Sequence, residues 1–476
     1  MNKVINFHIR YTSLLLVMVA ILSCSKDDDT YQDTITMYEE GEEKLVSQFS
    51  IEAFTADKAF GRAIPELSNT ELAFFGVGNA MFDQSWVSSP ASTTSRDGLG
   101  PIFNARACSG CHLRDGRGKP LVNTGADSEG FLLRLSIGNN PTSGPIPHQI
   151  YGDQLQDESN LGIDKEADIQ VDFTFINGKY ADGTSYELRQ PNYSIIDENY
   201  GSLQGVEISP RVGQQVIGLG FIDALTEASI LANADPDDLN KDGISGKANY
   251  VWNVKEQQLT IGKFGWKANQ PTLEQQIAGA FSGDMGLTTS IFPEENCPDG
   301  IDCNQLFNGN NPGEDVEVPD IQFSRISLYM SAISVPIRRN FQDEDVLKGK
   351  QHFNDLGCVS CHINNFTTGT NSVLPQISNI NINPFSDFLL HDMGDELADN
   401  RGDFLANSRE WRTQPLWGLG LIELVNGHTF LLHDGRARTI EEAILWHGGE
   451  AKQSKEDFKQ LIASEREELI QYLNSL

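Results

Sequence analysis

The chain has 476 residues, long enough for two or three domains and a sizeable core. Its 67 acidic residues outweigh 35 basic ones, for a formal net charge of −32. That balance argues against nucleic acid and against electrostatic docking on anionic lipid, and it favours a basic partner.

The first residues read as a targeting segment. Lys3, His8 and Arg10 precede an apolar run from Leu14 to Leu22. The run is too short to span a bilayer comfortably and suits the h-region of a secretory signal. It ends in I-L-S-C, which resembles the bacterial lipobox. Cleavage before Cys24 would remove a signal peptide, 1–23, and leave a lipidated cysteine; the S-K-D-D-D that follows is similar to an acidic export tag of some bacterial surface lipoproteins. An ordinary signal peptide with an incidental cysteine is the alternative. The expectation is an exported, outer-membrane lipoprotein facing the periplasm or the cell surface, and touching membrane only through that lipid. Residues 24–69 are acidic and weakly patterned, as a tether with room for one amphipathic helix.

Residues 70–342 begin with Cys108-Ser109-Gly110-Cys111-His112 and continue into a long insertion. There I-Q-V-D-F-T-F (169–175) and S-Y-E-L-R (185–189) alternate as the strands of a hairpin. L-T-E-A-S-I-L-A-N and T-L-E-Q-Q-I-A-G-A-F read as helices. Asp238, Asn240, Asp242 and Gly243 occupy positions 1, 3, 5 and 6 of an EF-hand-like calcium loop, with Asn249 rather than glutamate at position 12; an acidic turn is the alternative. Cys297 and Cys303, close together and flanked by loop residues, read as a disulfide in an exported chain.

Residues 343–476 are a more compact helical segment with a second motif, Cys358-Val359-Ser360-Cys361-His362. A weak large-scale repeat accompanies it. G-N-A-M-F-D precedes the first motif at a distance, and G-K-Q-H-F-N-D-L-G directly precedes the second. Nearer the end, Thr439 and Glu442 form a capping box. Ile440, Ala443, Ile444 and His447 then share one helix face, so His447 should face inward. A core histidine satisfied by a carbonyl, or one favoured by the helix dipole, remains the alternative.

Two C-x-x-C-H motifs carry the chemistry. With 7 cysteines and 9 histidines, chance gives roughly 0.002 matches. Two thiols on one turn can form thioethers to haem vinyl groups, and the next histidine then lies under the iron. A thioredoxin-like motif does not need the histidine, a zinc site needs two further ligands, and a disulfide within C-x-x-C is strained. The expected cofactors are two covalently bound haem c groups, and calcium if the acidic loop holds it. Candidates opposite His362 are His391, Met393, His428, His433 and His447, of which only His447 is placed by periodicity. His148 lies in a proline-rich loop and is the weaker candidate opposite His112.

D-G-L-G-P-I-F-N-A-R-A-C-S-G-C-H-L-R-D-G-R-G (97–118), F-G-W-K-A-N (264–269), E-W-R-T-Q-P-L-W-G-L-G (410–420) and H-D-G-R-A-R-T-I-E-E-A-I-L-W-H-G-G-E-A (433–451) resemble the di-haem cytochrome c peroxidase superfamily. The likeness is to its di-haem oxidoreductase branch, sometimes called thiol oxidoreductases, and runs from about Thr70 onward. In the peroxidases a methionine fourteen residues after H-D-G binds the C-terminal haem; His447 holds that position here, which should lower the reduction potential. The resemblance matches Trp266 to the tryptophan between the haems, and Gln276 and Asp284 to the residues of the peroxide pocket, where the acid moves protons. Here the acid is Asp rather than Glu, and its spacing from Gln276 is shorter by about two residues. Ser128 replaces a capping histidine, which implies an open first haem. In a haem crevice Arg412, Arg436 and His433 would order haem edges or propionates; surface cations are the alternative for the two arginines, and a core position for Trp266.

Together these readings lead to one expectation. The fold class is mainly α, with two cytochrome c-like haem domains and a long mixed α/β insertion between the two motifs. The function is a peroxidase reducing hydrogen peroxide, fed by a small redox protein (a cytochrome or a cupredoxin). A di-haem oxidase or oxygenase, or a non-catalytic electron-transfer lipoprotein, is the alternative. The name "thiol oxidoreductase" finds no support, since every cysteine already has an assignment.

Overall fold

Ser68 and Glu71 open the first long helix, Asn69–Asp83, through a complete capping box. The Ser68 hydroxyl accepts from the Glu71 N–H, and the Glu71 carboxylate accepts from the Ser68 N–H. The helix crosses Asp320–Ala332 at Gly78, where a Cβ would come within 2.2 Å of the Arg325 carbonyl. One turn later Phe82 packs on Tyr329, with ring centroids 5.4 Å apart.

The second motif repeats this construction. Helix Glu344–Asp355 crosses Ala463–Ser475 at Gly349, where a Cβ would lie 2.0 Å from the Glu468 carbonyl. One turn later Phe353 packs on Tyr472 at 5.3 Å. The weak sequence repeat is thus a glycine for close helix approach and a phenylalanine four residues on.

This computed structural model describes residues 37–53, 55, 58–123, 130–297 and 315–476. The signal segment, Cys24, Ser128 and Cys303 lie outside the described residues. Cys297 is disulfide-bonded. Among the described residues no helix is long and apolar enough to cross a membrane.

The class is mixed rather than mainly α. Helix accounts for 29% and strand for 19%, in many small sheets. Every sheet among the described residues has only two strands. Such ribbons cannot bury a core by themselves and are held by what they clamp. The predicted hairpin is the longest, Asp168–Lys179 against Ser185–Ile196. Its tip reaches across to the C-terminal segment: Tyr180 donates to Glu441 at 2.6 Å, and Asp182 pairs with Arg466 at 3.0 Å. A second ribbon, Phe131–Ser136 against Glu207–Val212, leads straight into the first motif's surroundings.

Nor is the segment read as a tether wholly free. Leu45, Val46 and Phe49 are buried in the common core, and Glu42 pairs with Lys350 and Arg338. Residues Thr36–Leu476 pack as one compact unit. A fully buried ion pair, Lys267 with Asp399 at 2.9 Å, ties the chain between the motifs to the C-terminal part.

Candidate functional site

The second motif forms a single 3-10 turn, Cys358–Ser360, entered through Gly357 in the left-handed conformation. Both thiols are free, and burial pushes the Cys358 thiol up to about 12. The His362 Nδ1 lies 2.9 Å from the Phe385 carbonyl oxygen. A carbonyl can only accept, so the ring proton is on Nδ1 and Nε2 carries the lone pair. His447 follows the helix Ile440–Trp446, whose first turn is capped by Thr439 accepting from the Glu442 N–H. The Glu442 carboxylate reaches the Arg438 N–H, one residue before the cap, so the box is offset. The His447 Nδ1 donates to the Ala443 carbonyl at 2.7 Å, which again leaves Nε2 as the acceptor.

Both imidazoles line one cavity of about 270 Å³, with Cys358 and Cys361 on its wall. Burial lowers the His362 pKa to about 4, with His447 nearby adding to it, and burial lowers His447 as well. Two neutral imidazoles with free Nε2 atoms are in the state that binds a metal. Gln214, Arg412 and His433 also line the cavity. The Gln214 Nε2 and Arg412 Nη1 are buried and without hydrogen-bond partners among the described residues, and the His433 Nε2 has only the Asp434 carboxylate, at 3.9 Å. Burial draws the Arg412 guanidinium down to about 9. An apolar cavity with two thiols, two imidazoles offering Nε2 and orphaned donors fits a haem c with its carboxylates.

At the first motif, Cys108–Cys111 makes one helical turn and both thiols are free. The His112 Nδ1 donates to the Gln214 carbonyl at 2.6 Å. Phe82 stands beside it at 6.3 Å, as Phe353 stands beside His362 at 6.2 Å. Glycines crowd this motif: a Cβ on Gly130 would lie 2.6 Å from the Cys111 carbonyl, and one on Gly213 would lie 3.1 Å from the His112 ring. Among the described histidines only His112, His362 and His447 give Nδ1 to a main-chain carbonyl. His391 spends both nitrogens on carboxylates, Nδ1 to Glu450 and Nε2 to Asp387, each at 2.7 Å. Against its burial, those carboxylates hold the His391 pKa up at about 12. Cys361, Asp387 and His391 are the group that could hold a metal ion among the described residues; a thioether at Cys361 would remove that ligand.

Trp266 lines the same cavity as His362 and His447 and donates from Nε1 to the Val212 carbonyl at 2.9 Å. The Arg117 guanidinium lies 5.1 Å from its ring. Asp284 lies beside the first motif: its carbonyl accepts from the Asn104 and Ala105 N–H groups, and its charge raises the pKa of both Cys108 and Cys111. Gln276 is elsewhere. It lies on the same helix, Leu273–Met285, eight residues earlier, roughly 12 Å along the axis. Its side chain makes no hydrogen bond among the described residues. The amide on Asp284 is Gln154, at 2.8 Å.

His433 is buried, stacked on Trp411 with centroids 3.8 Å apart and planes at 12°. Burial takes its pKa to about 3. Arg436 is not on the cavity wall; it pairs with Asp434 at 2.9 Å and donates to the Glu396 carbonyl. In the acidic loop, Asp238 accepts from the Gly243 N–H, and Asp242 accepts from the Ile244 N–H and from the Asn240 amide. The twelfth position, Asn249, is buried and donates to the Lys267 and Asp403 carbonyls, so it does not face that loop.

Gln154, Gln214 and Phe385 are the positions the sequence did not mark. Gln214 and Phe385 act through main-chain carbonyls, which leave no residue signature. A family model described as "Di-haem oxidoreductase, putative peroxidase" matches residues 46–476. No curated protein and no solved structure matches the chain significantly.

Proposed function

The chain belongs to the di-haem oxidoreductase family, and on that footing we propose that it is an exported c-type cytochrome that reduces hydrogen peroxide. Bound through Cys358 and Cys361 and through Cys108 and Cys111, two haems would supply the redox centres, the second passing electrons to the first. The observation that carries this reading is an asymmetry in the histidines. His362 and His447 share one cavity with their Nε2 atoms unprotonated, whereas His112 has no second such histidine among the described residues and has Asp284 nearby instead. One centre is built to be closed and the other to receive a ligand.

The residues then divide the work. His362 and His447 would both hold the iron of the closed centre through Nε2. Arg412, with a buried unpartnered Nη1, and Gln214 are placed to meet carboxylates in the cavity. Asp284 is the proton carrier of the open centre. Trp266 lines the cavity of the closed centre and donates to Val212, two residues before the Gln214 carbonyl that accepts from His112. The Arg117 cation over its ring opposes a positive charge on the indole.

The donor in this reading is a small redox protein, a cytochrome or a cupredoxin, with a basic face to match the net charge of −32. Lipidation at Cys24 would tether the enzyme to the outer membrane.

Two measurements test the proposal. Electron paramagnetic resonance of the resting ferric protein should give one low-spin bis-histidine signal and one high-spin, exchangeable signal. Steady-state turnover should then show peroxide-dependent oxidation of a reduced cytochrome. Two low-spin signals unchanged by added ligand would defeat the open-centre reading.

A further inference from the structure

We propose that Gln154 is the positioning amide of the first centre and that, with Gln156, it forms the polar wall holding a small ligand that donates hydrogen bonds, such as peroxide, against Asp284. This rests on the peroxidase reading above and goes further, since it assigns the ligand-facing wall to residues of the segment between the motifs.

The geometry is specific. Gln154 and Gln156 are each 2% exposed. The Gln154 Nε2 donates to the Asp284 Oδ1 at 2.8 Å and is shared with the Asn104 Oδ1 and the Gly283 carbonyl. The Gln156 Nε2 donates to the same Gly283 carbonyl at 2.8 Å. Both side-chain carbonyls, Gln154 Oε1 and Gln156 Oε1, are buried and have no partner among the described residues. In extended chain, residues two apart share a face. Two orphaned acceptors, on amides that meet at the Gly283 carbonyl next to Asp284, therefore call for a donor that the described residues do not supply. A molecule with two O–H groups and little bulk meets that demand.

This wall is fastened to the first motif. The Asn104 Nδ2 donates to the Leu155 carbonyl and to the Asp157 Oδ1, both at 2.8 Å. The Asn104 N–H donates to the Asp284 carbonyl at 2.9 Å, four residues before Cys108. The charged groups that act on Asp284 are His112, Arg134 and Asp153, the last two paired with each other at 3.1 Å. Burial raises the Asp284 pKa, and Arg134, the Gln154 amide and His112 offset only part of that rise. The Gln154 amide thus works against burial and favours the carboxylate form. The step assigned to it is one proton passing from a ligand O–H to the Asp284 carboxylate, which leaves the ligand an anion and Asp284 neutral.

The test uses the full holoprotein carrying Gln154→Leu, Gln156→Leu or Gln276→Leu. The two readouts are the stopped-flow rate of reaction with hydrogen peroxide and the pH profile of cyanide binding to the ferric protein, which also needs a proton acceptor. Gln154→Leu should slow the peroxide reaction about tenfold to a hundredfold and move the acid limb of the cyanide profile up by about one pH unit. Gln156→Leu should slow the peroxide reaction without moving the limb. If Gln154→Leu fails to load both haems, Gln154→Asn, which keeps the amide but shortens its reach, should show the same upward movement. A wild-type profile in both Gln154 variants, or a loss carried by Gln276→Leu instead, overturns the proposal. If the wild-type protein ignores peroxide while its cyanide profile still moves with Gln154, the peroxide reading falls and the positioning role stands.

Discussion

His112 and Trp266 hang from one tripeptide: the Gln214 carbonyl accepts from His112, and the Val212 carbonyl accepts from the Trp266 indole. The peptide between them belongs to Gly213, where a Cβ would press on the His112 ring at 3.1 Å. The indole of the shared cavity is therefore joined to the first centre by a short run of backbone and two hydrogen bonds. Trp266→Phe keeps a ring in place and removes the hydrogen bond. The expected result is unchanged resting spectra for both haems with turnover slowed at least about tenfold, read by stopped-flow reoxidation of the second haem. The lost bond leaves a buried carbonyl, so thermal unfolding should also show a cost of about 1–3 kcal/mol.

His447 gives the sharpest spectroscopic prediction. Its Nδ1 is spent on the Ala443 carbonyl, so its Nε2 is the only nitrogen left to bind iron. His447→Ala should convert the low-spin bis-histidine signal to high spin and leave the His112 centre unaltered. His447→Met should keep that centre low spin and raise its reduction potential, because methionine ligation raises it. Survival of the bis-histidine signal in the alanine variant would mean that another side chain holds the iron. His391 is a poor substitute, since both its nitrogens are engaged by Asp387 and Glu450.

The two helix crossings carry a prediction about folding. At Gly349 an added Cβ would meet the Glu468 carbonyl at 2.0 Å and the Tyr472 side chain at 2.7 Å. Backbone cannot yield as a flexible side chain can, so Gly349→Ala must push the helices apart. About 2–4 kcal/mol of stability should be lost by chemical denaturation. An equal loss is expected for Gly78→Ala against the Arg325 carbonyl at 2.2 Å. Near-wild-type unfolding for both variants would show that the crossings are looser than drawn.

How much of this was legible depends on where each signal lives. The C-x-x-C-H motifs, the inward face of His447 and a weak repeat ahead of each motif are side-chain patterns with fixed spacing, and they were readable; that the repeat is a glycine at a helix crossing and a phenylalanine four residues on was not. The long hairpin was readable too, because twelve-residue strands show alternation. The fold class was not, because two- and three-residue strands and single 3-10 turns are shorter than any period that could reveal them. Arg436 looked available to a propionate, but Asp434, two residues earlier, takes its guanidinium. Gln276 was matched by resemblance, yet Gln154, about 130 residues before Asp284 in the chain, makes the contact. Such long-range partners are set by tertiary packing, which no local pattern encodes.

Glu166 makes stability depend on pH in an unusual direction. The side chain is 1% exposed, and burial raises its pKa to about 8, although it accepts from the Gln156 N–H at 2.6 Å. A carboxyl whose folded pKa is raised binds its proton more tightly in the folded state. Its contribution is complete below the unfolded value of about 4.5 and is lost as pH rises toward about 8. Unfolding free energy should therefore fall by up to a few kcal/mol across that window, where an ordinary salt-bridged carboxylate would make it rise. Glu166→Gln keeps an oxygen for the Gln156 N–H and removes the titration. In denaturant melts from pH 5 to pH 8 the variant should lose the decline seen in the wild-type protein. A slope that persists unchanged would place the titrating group elsewhere, with Asp115, raised to about 7 by burial, the next to replace.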